Sequence, residues 1–221
     1  MPASAMFLGN QKVPVWPDGQ TITVLEHPTI MSTRFTDTEH YHPRLIAKIL
    51  EMEQRPTVRK NYFPGACGTK VHHVSQWGVS EADLINARAE EFYRRALNEQ
   101  NAVVDISWAN VYRRGDYCMP HSHLRATASV VYFLESGDVV ASDPTGGRFG
   151  FFDPRLPCCC RYQESCMTTP YFPQLEPGTM LIFPAMLVHS VNPYQGTRPR
   201  MTMSWNINNV AFAGSPLPPE T

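Results

Sequence analysis

One stretch of the sequence carries two histidines separated by a single residue: Gly115-Asp116-Tyr117-Cys118-Met119-Pro120-His121-Ser122-His123. Side chains alternate across an extended chain, so His121 and His123 are expected to point the same way and can bind one metal ion. A third histidine, His189, lies in a separate apolar segment, and Arg200 follows it. We expect these four side chains to form one site, with three metal ligands and one cation for an acidic co-substrate.

The composition is that of an ordinary globular protein. The chain has 221 residues, enough for one sizeable domain, with 43% hydrophobic and 18% charged residues. A net charge of −1 gives no reason to expect nucleic acid or an anionic membrane as a partner. We see no signal peptide and no apolar run near the roughly 20 residues of a spanning helix. The sequence therefore predicts a cytoplasmic protein.

Six cysteines are present, and three of them are consecutive, from Cys158 to Cys160. This spacing is unlike that of a disulfide framework or a zinc ribbon. Because no export signal is visible, we expect reduced thiols, and we interpret the three neighbours as a loop cluster without a metal or redox role.

The first part of the chain favours helices. Apolar residues recur at helical spacing from Pro43 to Gln54 and again after Ser80, which is a suitable N-cap for the second helix. The segment from Arg55 to Val79 shows no such period and is expected to be irregular. Its adjacent His72 and His73 are interpreted as surface or substrate-loop residues.

From Val103 onward the apolar period changes from helical spacing to two, which indicates strands. Strands are predicted at Ile22–Leu25, Val103–Tyr112, Ala126–Leu134, Asp138–Ser142, Arg148–Phe152, Thr179–Phe183, Leu187–Asn192 and Arg200–Asn208. Short strands separated by turn signals predict a barrel or a double-sheet jelly roll. The fold class is therefore α+β with a β-dominated core. We expect one domain over residues 1–221, with an N-terminal extension and supporting helices in 1–102 and the jelly-roll core in 103–210.

The last predicted strand has one polar and one apolar face. Its polar face carries Arg200, Thr202, Ser204 and Asn206. Alternation alone allows this face to lie either in water or along a barrel cavity. The histidines upstream favour the cavity, because a metal site needs a few convergent polar groups inside a pocket.

Several segments resemble oxygenases. Residues Asn110 to His123 resemble the metal-binding strand of prolyl-4-hydroxylase-like oxygenases. Further segments resemble the 2-oxoglutarate/Fe(II) oxygenase family of bacteria and phages: Val130–Leu134, Phe152–Arg155, Pro177–Pro184 and His189–Asn206. The resemblance implies a double-stranded β-helix, cupin-like in architecture, that hydroxylates an unidentified small molecule or peptide with Fe(II), 2-oxoglutarate and O2, releasing succinate and CO2.

The resemblance also implies roles for particular residues. The iron ligands would be His121, His123 and His189, with no catalytic residue beyond them. The far carboxylate of 2-oxoglutarate would bind Arg200, with hydrogen bonds from Thr202 and Tyr112. Arg198 has the same strand parity as Arg200, but Pro199 and the Arg-x-Thr pattern favour Arg200. Weaker candidates for substrate contact are Arg155, Tyr132 and Asn206.

One position departs from the wider superfamily, which uses two histidines and one carboxylate. His123 stands where the carboxylate is expected, although Asp116, Asp143 or Asp153 could supply one instead. His123 could also lie outside the ligand set. Two other functions stay open: a three-histidine metal dioxygenase that does not use 2-oxoglutarate, and a non-catalytic jelly-roll binding protein. The sequence also leaves open whether the protein is a homodimer.

Overall fold

The computed structural model describes residues 4–26, 29–58, 68–156, 159 and 169–210. Two α-helices lie in these residues, α1 over His42–Glu53 and α2 over Ser80–Leu97. The strands of the described residues are numbered β1 to β12 in chain order: Ala5–Leu8, Gln11–Pro14, Thr23–Glu26, Ile30–Arg34, Thr69–His72, Val103–Tyr112, Cys118–His121, Ala128–Glu135, Phe149–Phe151, Thr179–Pro184, His189–Val191 and Arg200–Asn208.

Two antiparallel sheets form the body of the protein. The larger sheet has seven strands in the order β3-β4-β10-β8-β12-β6-β5, and the smaller has three in the order β7-β11-β9. Side chains of both sheets meet in one apolar cluster, which includes Phe133 and Phe183 from the larger sheet and Phe149 and Phe151 from the smaller. The two sheets therefore pack face to face, and the expected β-dominated α+β jelly roll is confirmed.

The other face of the larger sheet carries the helices. Met203 and Trp205 of β12 belong to a second apolar cluster with Ile85 and Phe92 of α2. Every residue of β12 is buried, because one face lies under the helices and the other lies inside the jelly roll. The polar face of this strand is thus in the interior rather than in water.

The N-terminal part of the chain contributes strands as well as helices. Strand β4 pairs with β10, and β5 pairs with β6, so both edges of the larger sheet come from residues before 103. The short strand predicted at Ile22–Leu25 is present as β3, one residue further on. The expectation of irregular structure throughout Arg55–Val79 is wrong for Thr69–His72, since a four-residue strand is too short for its alternation to be recognised.

Two further local predictions need correction. Ser80 is the first residue of α2 rather than its N-cap; Val79 is the N-cap, and the Ser80 hydroxyl donates to Glu81 at 3.3 Å. Segment 138–142 is not a strand but holds an isolated bridge between Val140 and Asp143. The Asp138 carboxylate accepts backbone N–H bonds from residues 197 and 198, so this segment ties down a loop instead of joining a sheet.

A buried ionic network joins the helices to the sheet. The Arg88 side chain on α2 is 0% exposed and donates to both carboxylate oxygens of Asp37, at 3.0 and 2.6 Å. It also donates to the Tyr41 hydroxyl at 2.9 Å, which lies 3.1 Å from the hydroxyl of Tyr132 on β8. A buried guanidinium needs such partners, because an unpaired charge in the interior is strongly unfavourable.

Replacing Asp37 by alanine should lower the free energy of unfolding by about 3 kcal/mol or more, because the buried Arg88 charge loses its counterion. Urea denaturation of both proteins measures the difference. The matched control is Glu176→Gln, which removes the Arg34–Glu176 pair, whose side chains are 57% and 63% exposed. Exposed pairs contribute at most about 1 kcal/mol, so equal losses in the two variants would contradict the interpretation of the network.

Candidate functional site

Three histidines converge at the open end of the smaller sheet. His121 ends β7 and lies directly opposite His189 of β11. His123 lies beyond the end of β7, where its backbone N–H donates to the carbonyl of Ala185 at 2.8 Å. One ring nitrogen from each histidine lies within 4.8 Å of the others. No other group of three or more potential metal ligands occurs in the residues that the structure describes.

Backbone contacts orient two of the rings. The Nδ1 atom of His121 lies 2.9 Å from the carbonyl oxygen of Met119, and Nδ1 of His189 lies 2.8 Å from that of Leu187. A carbonyl can only accept, so each Nδ1 carries the proton and each Nε2 keeps a free lone pair. This is the arrangement in which imidazole binds a metal, with the other nitrogen held by a backbone oxygen.

Burial keeps the three rings neutral. It lowers the pKa of His121 and brings that of His123 to about 4, with the neighbouring His121 as the second cause for His123. Burial also lowers the pKa of His189 well below its ordinary value. Metal ligation requires neutral imidazole, so the site is in the correct protonation state near neutral pH.

The carboxylates considered as alternative ligands have other partners. Asp116 accepts the backbone N–H of Arg113 at 2.8 Å, and Asp143 accepts the hydroxyl of Thr145 at 3.2 Å. Asp153 pairs with Arg155, which lowers the pKa of the Asp153 carboxyl to about 2. Within the described part of the chain, none of these carboxylates joins the imidazole cluster.

One pocket is lined by the three histidines and by Arg200. Its polar floor comes from β12 and from β6, which is paired with β12 in the same sheet. The Asn110 amide on β6 donates to Thr202 at 3.2 Å and to Ser204 at 3.4 Å. Apolar side chains of the jelly-roll interior complete the wall. Among the described residues, no acidic side chain lines this pocket.

Arg200 lines the pocket and is 5% exposed. Its guanidinium carbon is 5.2 Å from the ring centre of Tyr112 and 5.6 Å from that of Phe133. Its Nη1 has no hydrogen-bond partner among the described residues. Arg198, by contrast, is exposed and is bonded to Asp138 at 2.6 Å. Of these two arginines, Arg200 presents a buried guanidinium with an unpartnered Nη1 to the pocket, as a carboxylate requires.

The three weaker candidates for substrate contact lie in different places. Tyr132 faces the helices, where His42 Nε2 lies 2.6 Å from its hydroxyl, so its assignment to the pocket is corrected. The period of two along β8 shows which residues share a face. Both faces are apolar, however, so the sequence does not show which face points into the jelly roll and which points to the helices. Arg155 lies outside the pocket lining and pairs with Asp153, whereas Asn206 lines the pocket.

Sequence reasoning did not identify Lys70 as a pocket residue and gave no sign that Asn206 lies next to His123. Lys70 lines the pocket from β5, the strand that was not predicted. The Asn206 amide nitrogen lies 3.3 Å from His123 Nδ1, so this side chain contacts a histidine of the cluster.

Of the consecutive cysteines, Cys158 and Cys160 lie outside the described residues, and Cys159 is buried with its thiol donating to the carbonyl of Phe151. Neither described helix is long and apolar enough to cross a membrane.

Solved structures of similar fold include several oxygenases. A prolyl-4-hydroxylase from Pseudomonas putida aligns over 85% of this chain and 91% of its own, with 15% identity and a TM-score of 0.52. The viral collagen prolyl hydroxylase from Paramecium Bursaria Chlorella virus-1, in complex with 2OG, aligns over 86% and 97%, with 15% identity and a TM-score of 0.53. EctD from S. alaskensis with bound Fe aligns over 86% and 73%, with 17% identity and a TM-score of 0.57. At these identities the alignments establish the fold.

Residues 106–206, which contain the three histidines and Arg200, match a protein-family model. No curated protein sequence matches the chain. The fold, the converging imidazoles and the family match define a 2-oxoglutarate- and Fe(II)-dependent dioxygenase, an oxidoreductase that uses Fe(II), 2-oxoglutarate and O2. The matched family is the one described as "Putative 2OG-Fe(II) oxygenase", and the resemblance drawn from the sequence is confirmed.

Proposed function

We propose that His121, His123 and His189 hold Fe(II) through their Nε2 atoms and that Arg200 binds the far carboxylate of 2-oxoglutarate. The observation that carries this proposal is that one pocket is lined both by three converging imidazoles and by a buried guanidinium whose Nη1 has no partner among the described residues. Thr202 and Tyr112 flank Arg200 and hydrogen-bond the same carboxylate. A guanidinium fork suits a carboxylate bidentately, and imidazoles suit Fe(II).

The residues of the pocket supply binding, orientation and exclusion of water. Iron with 2-oxoglutarate and O2 supplies the oxidation of a substrate C–H bond to an alcohol, with succinate and CO2 as the other products. Phe149 and Phe183 pack against the His189 ring, with ring centres 5.5 and 4.9 Å away, and keep water from that side. Ser204 and Asn110 also line the pocket, and the Asn110 amide holds the Ser204 hydroxyl at 3.4 Å.

The third imidazole changes the charge of the site. A neutral His123 in place of a carboxylate leaves the bound iron one unit more positive than in the wider superfamily. The 2-oxoglutarate dianion offsets this charge. We propose a small molecule or a peptide as substrate; the cytoplasmic location and the lack of a nucleic-acid partner remain predictions from the sequence.

The Asn206 side chain is proposed to position His123. Its Oδ1 accepts from the Ser129 hydroxyl at 3.0 Å, and its Nδ2 lies 3.3 Å from His123 Nδ1. If His123 binds iron through Nε2, its Nδ1 carries a proton and needs an acceptor. A 180° rotation of the Asn206 amide about χ2 exchanges the positions of its oxygen and nitrogen. Oδ1 then faces His123 Nδ1, and Nδ2 faces the Ser129 oxygen. Asn206 then holds the third ligand as the backbone carbonyls hold the other two.

Alanine at His121, His123 or His189 should each weaken Fe(II) or Co(II) binding by at least about tenfold, because each variant removes one of three ligands. Equilibrium dialysis followed by metal analysis measures the bound ion. His73→Ala is the control, since His73 is exposed and lies outside the pocket. Unchanged metal affinity in His123→Ala would exclude this residue from the ligand set.

Anaerobic addition of Fe(II) and 2-oxoglutarate should give a visible metal-to-ligand charge-transfer band. Arg200→Ala should weaken 2-oxoglutarate binding by about 100-fold or more, because a buried ion-paired group is lost. Arg198→Ala, which removes an exposed cation, should not change the affinity. Oxygen uptake without a band and without succinate would instead indicate a three-histidine dioxygenase that does not use 2-oxoglutarate.

Asn206→Leu should lower metal affinity by about 10- to 100-fold, as expected when a partner of a metal-bound histidine is removed. Asn206→Asp keeps an acceptor for Nδ1–H and should retain the affinity. Ser204→Ala is the control on the same face of β12. Equal losses in the Leu and Asp variants, measured by dialysis against Co(II), would show that Asn206 acts only through packing.

A further inference from the structure

Lys70 extends the polar floor of the pocket to the edge of the larger sheet. It lies directly opposite Asn110 in the β5–β6 pair, and Asn110 lies opposite Thr202 in the β6–β12 pair. Residues directly opposed on antiparallel strands point to the same face, so all three side chains point into the jelly roll. The Lys70 ammonium sits 5.2 Å from the ring centre of Trp108, which also lines the pocket.

This ammonium has no counterion in the described part of the protein. Lys48, by contrast, pairs with Glu51 at 3.0 Å. Lys70 is partly buried, and the pocket that it lines has no acidic side chain among the described residues. Holding a partly desolvated cation without a carboxylate is unfavourable, and the contact with Trp108 compensates only in part. A ligand that carries negative charge would supply the missing partner.

The charges of the occupied site lead to the same conclusion. With three neutral imidazoles, the positive groups around the pocket are the iron ion, Arg200 and Lys70. The 2-oxoglutarate dianion offsets only half of their combined charge. Because 2-oxoglutarate would bridge Arg200 and the iron, Lys70 remains for a second ligand.

We propose that the substrate of this oxygenase carries an anionic group, a carboxylate or a phosphate, that binds Lys70 beside the face of Trp108. This inference rests on the proposed function, because it assigns 2-oxoglutarate to Arg200. Val131, Phe149 and Val191 also line the pocket and would contact the apolar body of such a substrate. Lys70 is therefore a residue that determines specificity, while the histidines and Arg200 serve the reaction itself.

The test uses three probes with a phenyl ring and different charge: benzoate, phenyl phosphate and the neutral benzamide. Each is titrated calorimetrically into the anaerobic protein loaded with Fe(II) and 2-oxoglutarate. We expect at least one anion to bind about tenfold more tightly than benzamide, as an added partly buried ion pair implies. The anion that binds more tightly distinguishes a carboxylate from a phosphate site.

Lys70→Met keeps the length and apolar character of the side chain and removes its charge. It should abolish the preference for the anion while leaving benzamide and 2-oxoglutarate affinities unchanged, and Lys70→Arg should restore it. Lys12→Met is the control, since Lys12 is exposed on β2 and lies outside this pocket. An absent preference in the wild type, or a preference that survives in Lys70→Met, would overturn the proposal. So would a loss of 2-oxoglutarate affinity in Lys70→Met equal to the loss for the anion.

The charge-transfer band, recorded before each titration, separates this proposal from the proposed function. If no band forms with iron bound, the assignment of 2-oxoglutarate has failed. The same titrations on the metal-free protein then decide on Lys70, because its charge and the Trp108 ring are present without the ion. An anion preference that depends on Lys70 in that protein would support the anion site, and its absence would reject it.

Discussion

The burial of a polar strand in the middle of the larger sheet is the constraint on which the rest of the structure depends. Strand β12 lies between β8 and β6, and all of its residues are buried. Its apolar face packs under the helices, but its other face places Arg200, Thr202, Ser204 and Asn206 inside the protein. Buried polar groups are unfavourable unless they are satisfied. Neighbouring strands satisfy most of them, and the Arg200 guanidinium is left for a ligand, so the functional pocket is a consequence of where this strand lies.

The histidine cluster depends on a second, smaller constraint, the pairing of two very short strands. Strands β7 and β11 bring His121 opposite His189, and backbone carbonyls hold both rings. Asp153 supports this arrangement from outside the cluster, since it accepts the backbone N–H of Val188 at 3.0 Å, directly before His189. That carboxylate therefore stabilises the chain next to His189 and does not belong to the imidazole cluster of the described residues. The resulting centre is neutral without metal, and no described acidic group around the pocket reduces the positive charge that a metal would add.

Long strands with clear alternation could be predicted from the sequence, and short ones could not. The predicted bounds of β6 and β12 agree with the structure, because ten and nine residues show the period of two clearly. The convergence of the three histidines was a hypothesis from their spacing and agrees with the structure, and Pro199 with the Arg-x-Thr pattern favoured Arg200 over Arg198. Strand β5, with four residues, was missed, and Lys70 was missed with it. Tyr132 was a weak candidate for substrate contact, but its side chain packs with the helices; β8 is apolar on both faces, so its pattern does not show which face lines the jelly-roll interior. The roles of the site residues remain predictions until metal and 2-oxoglutarate binding are measured.

The edge strand β5 suggests how reaction and specificity are divided along the chain. The family match over residues 106–206 contains all the groups proposed to bind iron and 2-oxoglutarate, whereas Lys70 precedes it. The matched segment does not include β4 or β5. These two strands pair with β10 and β6, on opposite lateral edges of the central strands of the larger sheet. A jelly roll requires its central strands to keep their register, since a slip of one residue would move Arg200 to the helix face. An edge strand is under a weaker constraint, because it pairs on one side only. Variation at β5 can therefore change the charge at the pocket wall without moving the residues that are proposed to bind the ion and 2-oxoglutarate, and this makes the edge strand a suitable place for substrate selection.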